Sequence, residues 1–225
     1  MATTMSRKAS RLPLTALALI LSPILACATA AAAPQAQAKA ERYEDIEASR
    51  DGIGKRYMGR EIAAVMGPGM VVADIGAGTG YLTRRMAPAV IPGGKALAVD
   101  VQPEMVRVLQ AMVRQTGLTQ IQPLLGAEDN VRLPDASVDL AIMVDVYHEL
   151  AYPYEMLASI ARALRPGGLL VFVEFRAGDD SVPIKSVHKM SEAQVKREAV
   201  VHPLVWERTV ATLPWQHAVF FRKRD

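Results

Sequence analysis

Residues 71–80 read VVADIGAGTG, a short apolar run that passes directly into a glycine-rich turn. The apolar part, Val71–Ile75, is typical of a buried strand, and the residues after the turn, 81–90, are typical of a helix. Glycine has no side chain, so a turn built from Gly76, Gly78 and Gly80 lets the backbone approach a ligand closely. The stretch predicts a strand–loop–helix unit with a ligand-binding loop, and an ordinary tight turn is the alternative.

A second strand, at 96–99, ends at Asp100, which lies 24 residues beyond Gly76. In a doubly wound sheet, ligands bind outside the carboxyl ends of the strands. A carboxylate in that position can accept hydrogen bonds from both hydroxyls of a ribose. The glycine loop and Asp100 together predict a cofactor that contains a nucleoside.

The spacing of the glycines narrows the class of cofactor. A dinucleotide fingerprint, G-x-G-x-x-G, would place its third glycine at position 81, but this residue is tyrosine and the third glycine is Gly80. This argues against an NAD(P)-linked oxidoreductase. A Walker phosphate loop is excluded because no G-K-[ST] follows. The pattern present is D-x-G-x-G-x-G, with Asp74 two residues before the first glycine.

Strand-like and helix-like segments alternate beyond this unit. Helices are predicted at 103–115 and 154–164, and strands at 121–125, 138–144 and 169–175. Such alternation implies a parallel sheet covered on both faces. Ser191 with Gln194 predicts the start of one more helix. Two final strands, at 204–212 and 217–223, are too close in sequence to pair except as an antiparallel hairpin. The predicted fold is α/β, a Rossmann-like doubly wound seven-stranded sheet, mostly parallel with a C-terminal antiparallel hairpin.

The glycine loop, VVADIGAGTGYLT at 71–83, resembles motif I of the class I S-adenosylmethionine-dependent methyltransferases. The resemblance continues, in the order and spacing of the methyltransferase type 11/12 group, through LAVDVQPEM (97–105), LPDASVDLAIMVDVYHEL (133–150) and RALRPGGLLVFVEF (162–175). The tail is similar to that of a bacterial subgroup of unknown substrate, many of whose members carry an exported-looking leader. The resemblance implies S-adenosylmethionine as cofactor and methyl transfer as activity.

The resemblance also implies which residues bind the cofactor. Asp100 would hold the ribose hydroxyls, Val101 would flank the adenine, and Glu128 would lie near the adenine amino group, with Asp129 as its rival. Asp74 would support the loop and the cofactor's amino group. The cofactor-binding residues implied are Asp74, Gly76, Ala77, Gly78, Gly80, Asp100, Val101 and Glu128.

Methyl transfer from a sulfonium is an in-line displacement, so the protein mainly aligns the reacting groups. A general base is needed only if the acceptor loses a proton. We predict His148 as that base, since histidine titrates near neutral pH, and Asp145 as the group that orients it or the substrate. The alternative for His148 is capping or packing of the following helix. Glu174 could face the pocket or be a solvated loop acid.

A lid and acceptor pocket could be formed by His188 and Lys189 together with four residues of the segment before the glycine loop, Arg50, Asp51, Lys55 and Tyr57. Surface or packing roles are the alternative for these residues. No metal is expected, because the four histidines (148, 188, 202 and 217) show no ligand spacing such as H-E-x-x-H. A serine nucleophile is not expected either, because no G-x-S-x-G is present.

The N-terminus has the n-, h- and c-region order of a secretory signal peptide: a basic start to Arg11, an apolar core at 12–26, and small residues at 28–33. Residues 24–27 also resemble a loose lipoprotein signal with Cys27 as the lipidated residue. We therefore expect a periplasmic or secreted protein, with membrane contact only through the leader or a lipidated Cys27. The predicted organisation is a signal peptide and polar spacer (1–38), an N-terminal helical arm (39–68) and the methyltransferase domain (69–225).

The net charge of +3 comes from the leader, which carries three basic residues and no acid in its first 33 positions. Without them, the 26 basic residues fall to 23, equal to the 23 acidic residues. No nucleic-acid partner is expected, and a small-molecule acceptor is favoured. The alternative function is an exported nucleoside or small-molecule binding module without turnover, because the cofactor is made in the cytosol and the leader points elsewhere. The oligomeric state is not predicted.

Overall fold

Five parallel strands form the centre of the sheet in the computed structural model, which describes residues 64–225. They are β1 (Val71–Ile75), β2 (Lys95–Asp100), β3 (Ile121–Leu125), β4 (Val138–Val144) and β5 (Leu164–Arg176). The C-terminal part adds β6 (Lys189–Met190), β7 (Leu204–Val210) and β8 (Gln216–Lys223). The order is β3-β2-β1-β4-β5-β8-β7, with β7 and β8 antiparallel and β6 paired with β5. The predicted fold class is confirmed, with β6 as a short strand that the sequence did not indicate.

Four α-helices lie among the described residues: α1 (Thr83–Met86), α2 (Pro103–Thr116), α3 (Pro153–Ala163) and α4 (Glu192–Ala199). Short 3-10 turns occur at Ala87–Val90, Tyr147–Glu149 and Ser186–His188. The helix predicted at 81–90 is therefore two short pieces. Pro88 lies at the start of the second piece, where it lacks the N–H that a continuous helix would need.

Local sequence signals set the ends of the longer helices. Helix α2 begins at Pro103 and ends before Gly117, which adopts a left-handed conformation with φ of 68°. The hydroxyl of Ser191 caps α4 by accepting a hydrogen bond from the Gln194 backbone N–H at 3.1 Å. The Gln194 side chain donates to Glu198 and not back to the Ser191 backbone, so the Ser191 half of the capping box that these two residues could form is the half present.

Strand β5 starts five residues earlier than predicted, because the Arg165–Gly168 segment is a bulge and not a break. Leu164 pairs with Val138, and the next pair joins Leu169 to Leu140. Gly167 adopts a φ of 73°, which glycine reaches readily, and this conformation lets the extra residues of β5 bulge out between the two pairs.

Alternating residues of the sheet build a core on each face. One face packs Val72 and Leu140 against Leu109 of α2 and Met86 of α1. The other face packs Ala73 and Ala141 against residues of α3 and α4, including Leu157, Ile160 and Val195. Helices thus cover both faces, which leaves the ends of the strands for a ligand.

The strand order reverses between β1 and β4, which makes the carboxyl ends of these two strands the topological switch point of the sheet. A crevice opens at such a point because the connections leave β1 and β4 in opposite directions. The glycine loop follows β1, and Asp145 follows β4.

Several predictions fall outside the described residues: the leader and spacer (1–38), the arm up to residue 63, Cys27, and the arm residues Arg50, Asp51, Lys55 and Tyr57. Among residues 64–225, no helix is long and apolar enough to cross a membrane.

Candidate active site

A cavity of about 590 Å³ lies at the carboxyl ends of the central strands. This volume is within the range of small-molecule and cofactor sites. All of the predicted site residues except Gly80 line it: Asp74, Gly76, Ala77, Gly78, Asp100, Val101, Glu128, Asp145 and His148. The fold therefore brings together residues that the sequence spreads over four strand ends and the loops that follow them.

The glycine loop is fixed to the neighbouring strand. The backbone N–H groups of Gly76 and Ala77 both donate to the Val99 carbonyl, at 2.8 and 3.0 Å. Gly76 has a φ of 74°, and a Cβ there would lie 2.7 Å from the Val146 side chain. Gly78 has a φ of 53°, and a Cβ there would meet nothing within 4 Å. At Gly78 the loop thus leaves an open space that a side chain would fill.

Gly80 is required for packing and does not line the cavity. Its φ is 83°, and a Cβ there would lie 2.8 Å from Leu109 and 2.9 Å from Met112, both on α2. The structure thus places Gly80 at the contact between the loop and α2, and its predicted part in cofactor binding stays a prediction.

The Asp100 carboxylate holds the loop and the turn after β2 at the cavity wall. Its Oδ2 accepts from the Gly78 N–H and its Oδ1 from the Gln102 N–H, both at 2.9 Å. A carboxylate has about four lone-pair sites and can accept from several donors at once, which is the property that a residue facing the hydroxyl groups of a ligand needs. Asp74 accepts from the Thr83 hydroxyl at 2.5 Å and thereby joins β1 to the start of α1.

Glu128, and not its rival Asp129, lies on the cavity wall. Both follow β3 in a loop that the Ala127–Asn130 bridge closes.

Acidic side chains dominate the charge of the cavity wall. Five carboxylates line it, those of Asp74, Asp100, Glu128, Asp145 and Glu149, and no lysine or arginine of the described part of the chain does. A wall of this kind favours a cationic ligand and disfavours one that carries phosphates. The sulfonium and amino groups of S-adenosylmethionine fit it, whereas the pyrophosphate of a dinucleotide does not.

His148 is held by a buried carboxylate. Glu174, fully buried, accepts from the Tyr147 backbone N–H with Oε1 at 2.8 Å, and its Oε2 lies 2.6 Å from Nδ1 of His148. This hydrogen bond raises the pKa of His148 above its usual range, while burial of the ring acts in the opposite direction. Glu174 is thus neither a cavity-facing nor a solvated acid. The ring of His148 contacts this carboxylate and the cavity, and it does not cap the following helix.

A second histidine meets the other side of this ring. Nδ1 of His188 lies 3.1 Å from Nε2 of His148, and both side chains line the cavity. Glu149 Oε1 lies 3.9 Å from each of these two nitrogen atoms. Lys189, the neighbour of His188, instead donates to the Asp179 carbonyl at 2.8 Å. Of the predicted pair, only His188 belongs to the cavity.

Asp145 follows β4 in a left-handed conformation with φ of 53°. Its backbone N–H donates to the Val173 carbonyl at 2.8 Å, and the Gln216 side chain donates to its Oδ2 at 3.4 Å. Aspartate tolerates this conformation better than most residues, and such conformations are concentrated at functional sites. The charge of Asp145 is near enough to raise the pKa of His148, after the larger effects of the Glu174 hydrogen bond and of the Glu149 charge. Its predicted role of orienting either His148 or the substrate stays a prediction.

The sequence did not indicate the part of the cavity wall made by Trp215 and Gln216. Arg176 fixes this segment, since its guanidinium donates to the carbonyls of Leu213, Pro214 and Gln216 at 2.6–3.0 Å. No local motif marks these residues, because they reach the cavity only through the pairing of β8 with β5.

Comparison with known proteins agrees with the predicted fold. Residues 73–172 match the family described as "Methyltransferase domain". An uncharacterized methyltransferase of Mycobacterium bovis is 41% identical over 102 residues, which cover 45% of this chain and 38% of that protein. A ubiquinone/menaquinone biosynthesis C-methyltransferase of Ectopseudomonas mendocina is 30% identical over 109 residues, 48% of this chain and 43% of that protein. The chain thus spans less than half the length of these curated relatives.

A solved structure extends the similarity beyond this segment. The crystal structure of a SAM-dependent methyltransferase from Aquifex aeolicus superposes with a TM-score of 0.74 at 25% identity, covering 83% of this chain and 97% of that one. These similarities support the prediction of a class I S-adenosylmethionine-dependent methyltransferase domain.

Proposed function

We propose that the chain transfers a methyl group from S-adenosylmethionine to a small-molecule acceptor. The observation that carries this proposal is the cavity at the switch point, where the glycine loop and Asp100 meet a wall that is acidic and, in the described residues, free of lysine and arginine. Similarity to methyltransferases supports turnover over the alternative of a binding module without turnover.

The residues for cofactor binding follow from their places on the wall. Asp100 would accept from the ribose hydroxyls, and Glu128 from the adenine amino group. The open space at Gly78 would admit the part of the cofactor that follows the ribose. When bound, S-adenosylmethionine supplies an electrophilic methyl group on a cationic sulfur.

The chain's own residues then align the acceptor. In an in-line displacement the acceptor atom would take the methyl group as the carbon–sulfur bond breaks, with S-adenosylhomocysteine as the other product, and His148 is the residue predicted to take any proton that the acceptor loses. A cavity with fixed walls reduces the entropic cost of this alignment. Glu174 keeps the His148 ring in place at the wall, and Arg176 does the same for the 213–216 segment.

Calorimetric titration of the full chain with S-adenosylmethionine and S-adenosylhomocysteine tests the cofactor site. We expect micromolar binding that Asp100→Asn weakens strongly. Asp135→Asn is the matched control, because Asp135 is an exposed aspartate away from the cavity. Absence of binding by the folded chain would refute the proposal. Release of S-adenosylhomocysteine in the presence of candidate acceptors then tests turnover.

We also propose that the chain acts outside the cytosol, on the strength of the leader pattern in residues 1–33. Fractionation of cells that express the full chain, with N-terminal sequencing of the product, tests this proposal. A product in the cytosol that retains Met1 would refute it. Lipid on Cys27 would identify the lipoprotein form.

A further inference from the structure

We propose that His148, His188 and Glu149 bind one divalent transition-metal ion, such as Zn²⁺, at the cavity wall. The three ligand atoms are Nε2 of His148, Nδ1 of His188 and Oε1 of Glu149. All three residues line the cavity, so the ion would face the same space as the cofactor and the acceptor.

The distances among these three atoms fit an ion of this kind. The two nitrogens are 3.1 Å apart, and each lies 3.9 Å from the carboxylate oxygen. For a triangle with these sides, the point equidistant from the corners lies about 2.1 Å from each. Zinc is bound by histidine nitrogen and carboxylate oxygen at about 2.0–2.2 Å. An ion at this point would lie in the plane of the three atoms, and a tetrahedral site needs the oxygen of the exposed Glu149 side chain to move about 0.5 Å towards the nitrogens.

The hydrogen bonding of His148 presents the correct nitrogen. Glu174 Oε2 lies 2.6 Å from Nδ1, so the proton resides on Nδ1 and the lone pair of the neutral ring is on Nε2. Glu174 is itself fixed by the Tyr147 backbone N–H. A carboxylate on the far nitrogen is the usual outer-shell partner of a metal-binding histidine, because it sets the tautomer and raises the basicity of the ligand.

The fold holds both histidines on short, anchored turns. His148 lies in the 3-10 turn that follows β4, and His188 ends the 3-10 turn that leads into β6. Strand β6 pairs with Phe175 and Arg176 of β5, beyond the end of β4. This pairing places His188 beside His148, although 40 residues separate them in sequence.

The donor set indicates the class of ion and its use. Two imidazoles and one carboxylate favour zinc and similar first-row ions over Mg²⁺ and Ca²⁺, which prefer oxygen ligands. Three protein ligands leave a fourth position for water or substrate, as in catalytic zinc sites. If the chain is a methyltransferase as proposed above, that position would take an oxygen, nitrogen or sulfur atom of the acceptor. The ion would then replace His148 as the group that favours loss of the acceptor's proton, because it occupies the lone pair of Nε2.

Titration of the full-length, untagged, chelator-treated chain with Zn²⁺ alone tests the site, with Co²⁺ absorption as the report of coordination. We expect one ion per chain and the visible absorption bands of a four- or five-coordinate Co²⁺. The variants His188→Ala and Glu149→Gln should lose at least about 100-fold in affinity. Both side chains are substantially exposed, 40% and 62%, so these variants should fold as the parent does.

Matched control variants test whether the ion binds to His148, His188 and Glu149 and not to similar side chains elsewhere in the chain. His202→Gln and Glu155→Gln change residues of the same types elsewhere, and Cys27→Ser removes the single cysteine. These three variants should bind Zn²⁺ as the parent does. Glu174→Gln should weaken binding about 10–100-fold while the chain stays folded by circular dichroism, as expected for a positioning residue.

Two results would overturn the metal site: a folded chain that binds no Zn²⁺ at a ratio of one, or affinity that His188→Ala and Glu149→Gln leave unchanged. The histidines would then form only a hydrogen-bonded pair. Binding of S-adenosylhomocysteine, measured on the same samples, reports on Asp100 and the glycine loop. Failure of the metal site is thus distinguishable from failure of the proposed function.

Discussion

Alanine substitutions at three glycines with positive φ should separate ligand binding from folding. Gly78 borders the cavity, Gly80 packs against Leu109 and Met112, and Gly117 caps the end of α2 away from the cavity. A Cβ meets nothing within 4 Å at Gly78 or at Gly117, whereas at Gly80 it lies 2.8–2.9 Å from the two side chains of α2. The three variants share the backbone strain and differ in what the new methyl group contacts.

The magnitudes follow from these differences. Left-handed strain in a non-glycine residue costs about 1–2 kcal/mol, partly offset by the lower entropy of the unfolded chain. Gly78→Ala and Gly117→Ala should therefore each lower the free energy of unfolding by about 1 kcal/mol. Gly80→Ala adds overpacking of about 1–3 kcal/mol. In Gly78→Ala, the methyl group would occupy ligand space, at a similar cost of about 1–3 kcal/mol in binding, or about 5–150-fold in Kd.

Urea unfolding and calorimetric titration with S-adenosylhomocysteine measure the two effects on each variant. We expect Gly78→Ala to lose affinity, Gly117→Ala to keep it, and Gly80→Ala to lose the most stability while its folded fraction binds normally. Wild-type affinity in Gly78→Ala would refute the assignment of this loop to the ligand. Loss of affinity in Gly117→Ala would show that backbone strain away from the cavity also weakens binding. The loss in Gly78→Ala could then not be assigned to the new methyl group.

Three further predictions concern stability. Burial lowers the pKa of His217, while the charge of Glu192 raises it less and the charge of Arg176 lowers it further. Below about pH 6.5 the unfolded chain therefore takes up a proton that the folded chain does not. Stability should fall as the pH drops from about 6.5 towards the folded-state pKa. Urea midpoints measured from about pH 7.5 to 5 should fall less in His217→Gln than in the parent, and an unchanged dependence of the midpoint on pH would contradict the prediction. Arg176→Met should lower the free energy of unfolding by about 2 kcal/mol and expose the 213–216 segment to proteolysis, because charged hydrogen bonds to three carbonyls are lost. Unchanged resistance of this segment to proteolysis would contradict the role of Arg176 in fixing it. Ser191→Ala should cost about 1 kcal/mol in the same urea assay through loss of the α4 cap, and Ser191→Asp should restore it.

The sequence by itself determined the sheet, the glycine loop and most of the cavity wall. These features depend on neighbouring residues: alternation of strand and helix patterns, the turn chemistry of glycine, and the rule that parallel strands end at one edge. Asp100 could be placed at the cavity because it ends a strand next to β1. The predicted ends of helices and strands were less accurate where a single residue changed the local structure. Pro88 divides the helix predicted at 81–90, and Gly167 lies in a bulge that lets β5 start earlier than predicted.

Only the tertiary structure decided which side chains meet at the far end of the cavity. The contact of His148 with His188 depends on β6 pairing beyond the end of β4, and a two-residue strand leaves no periodic signal in the sequence. The buried position of Glu174 and the exclusion of Gly80 from the wall likewise depend on packing between distant elements. The physical reason is that local patterns encode the direction of each strand and helix, while distances between their side chains arise from contacts between residues far apart in the chain.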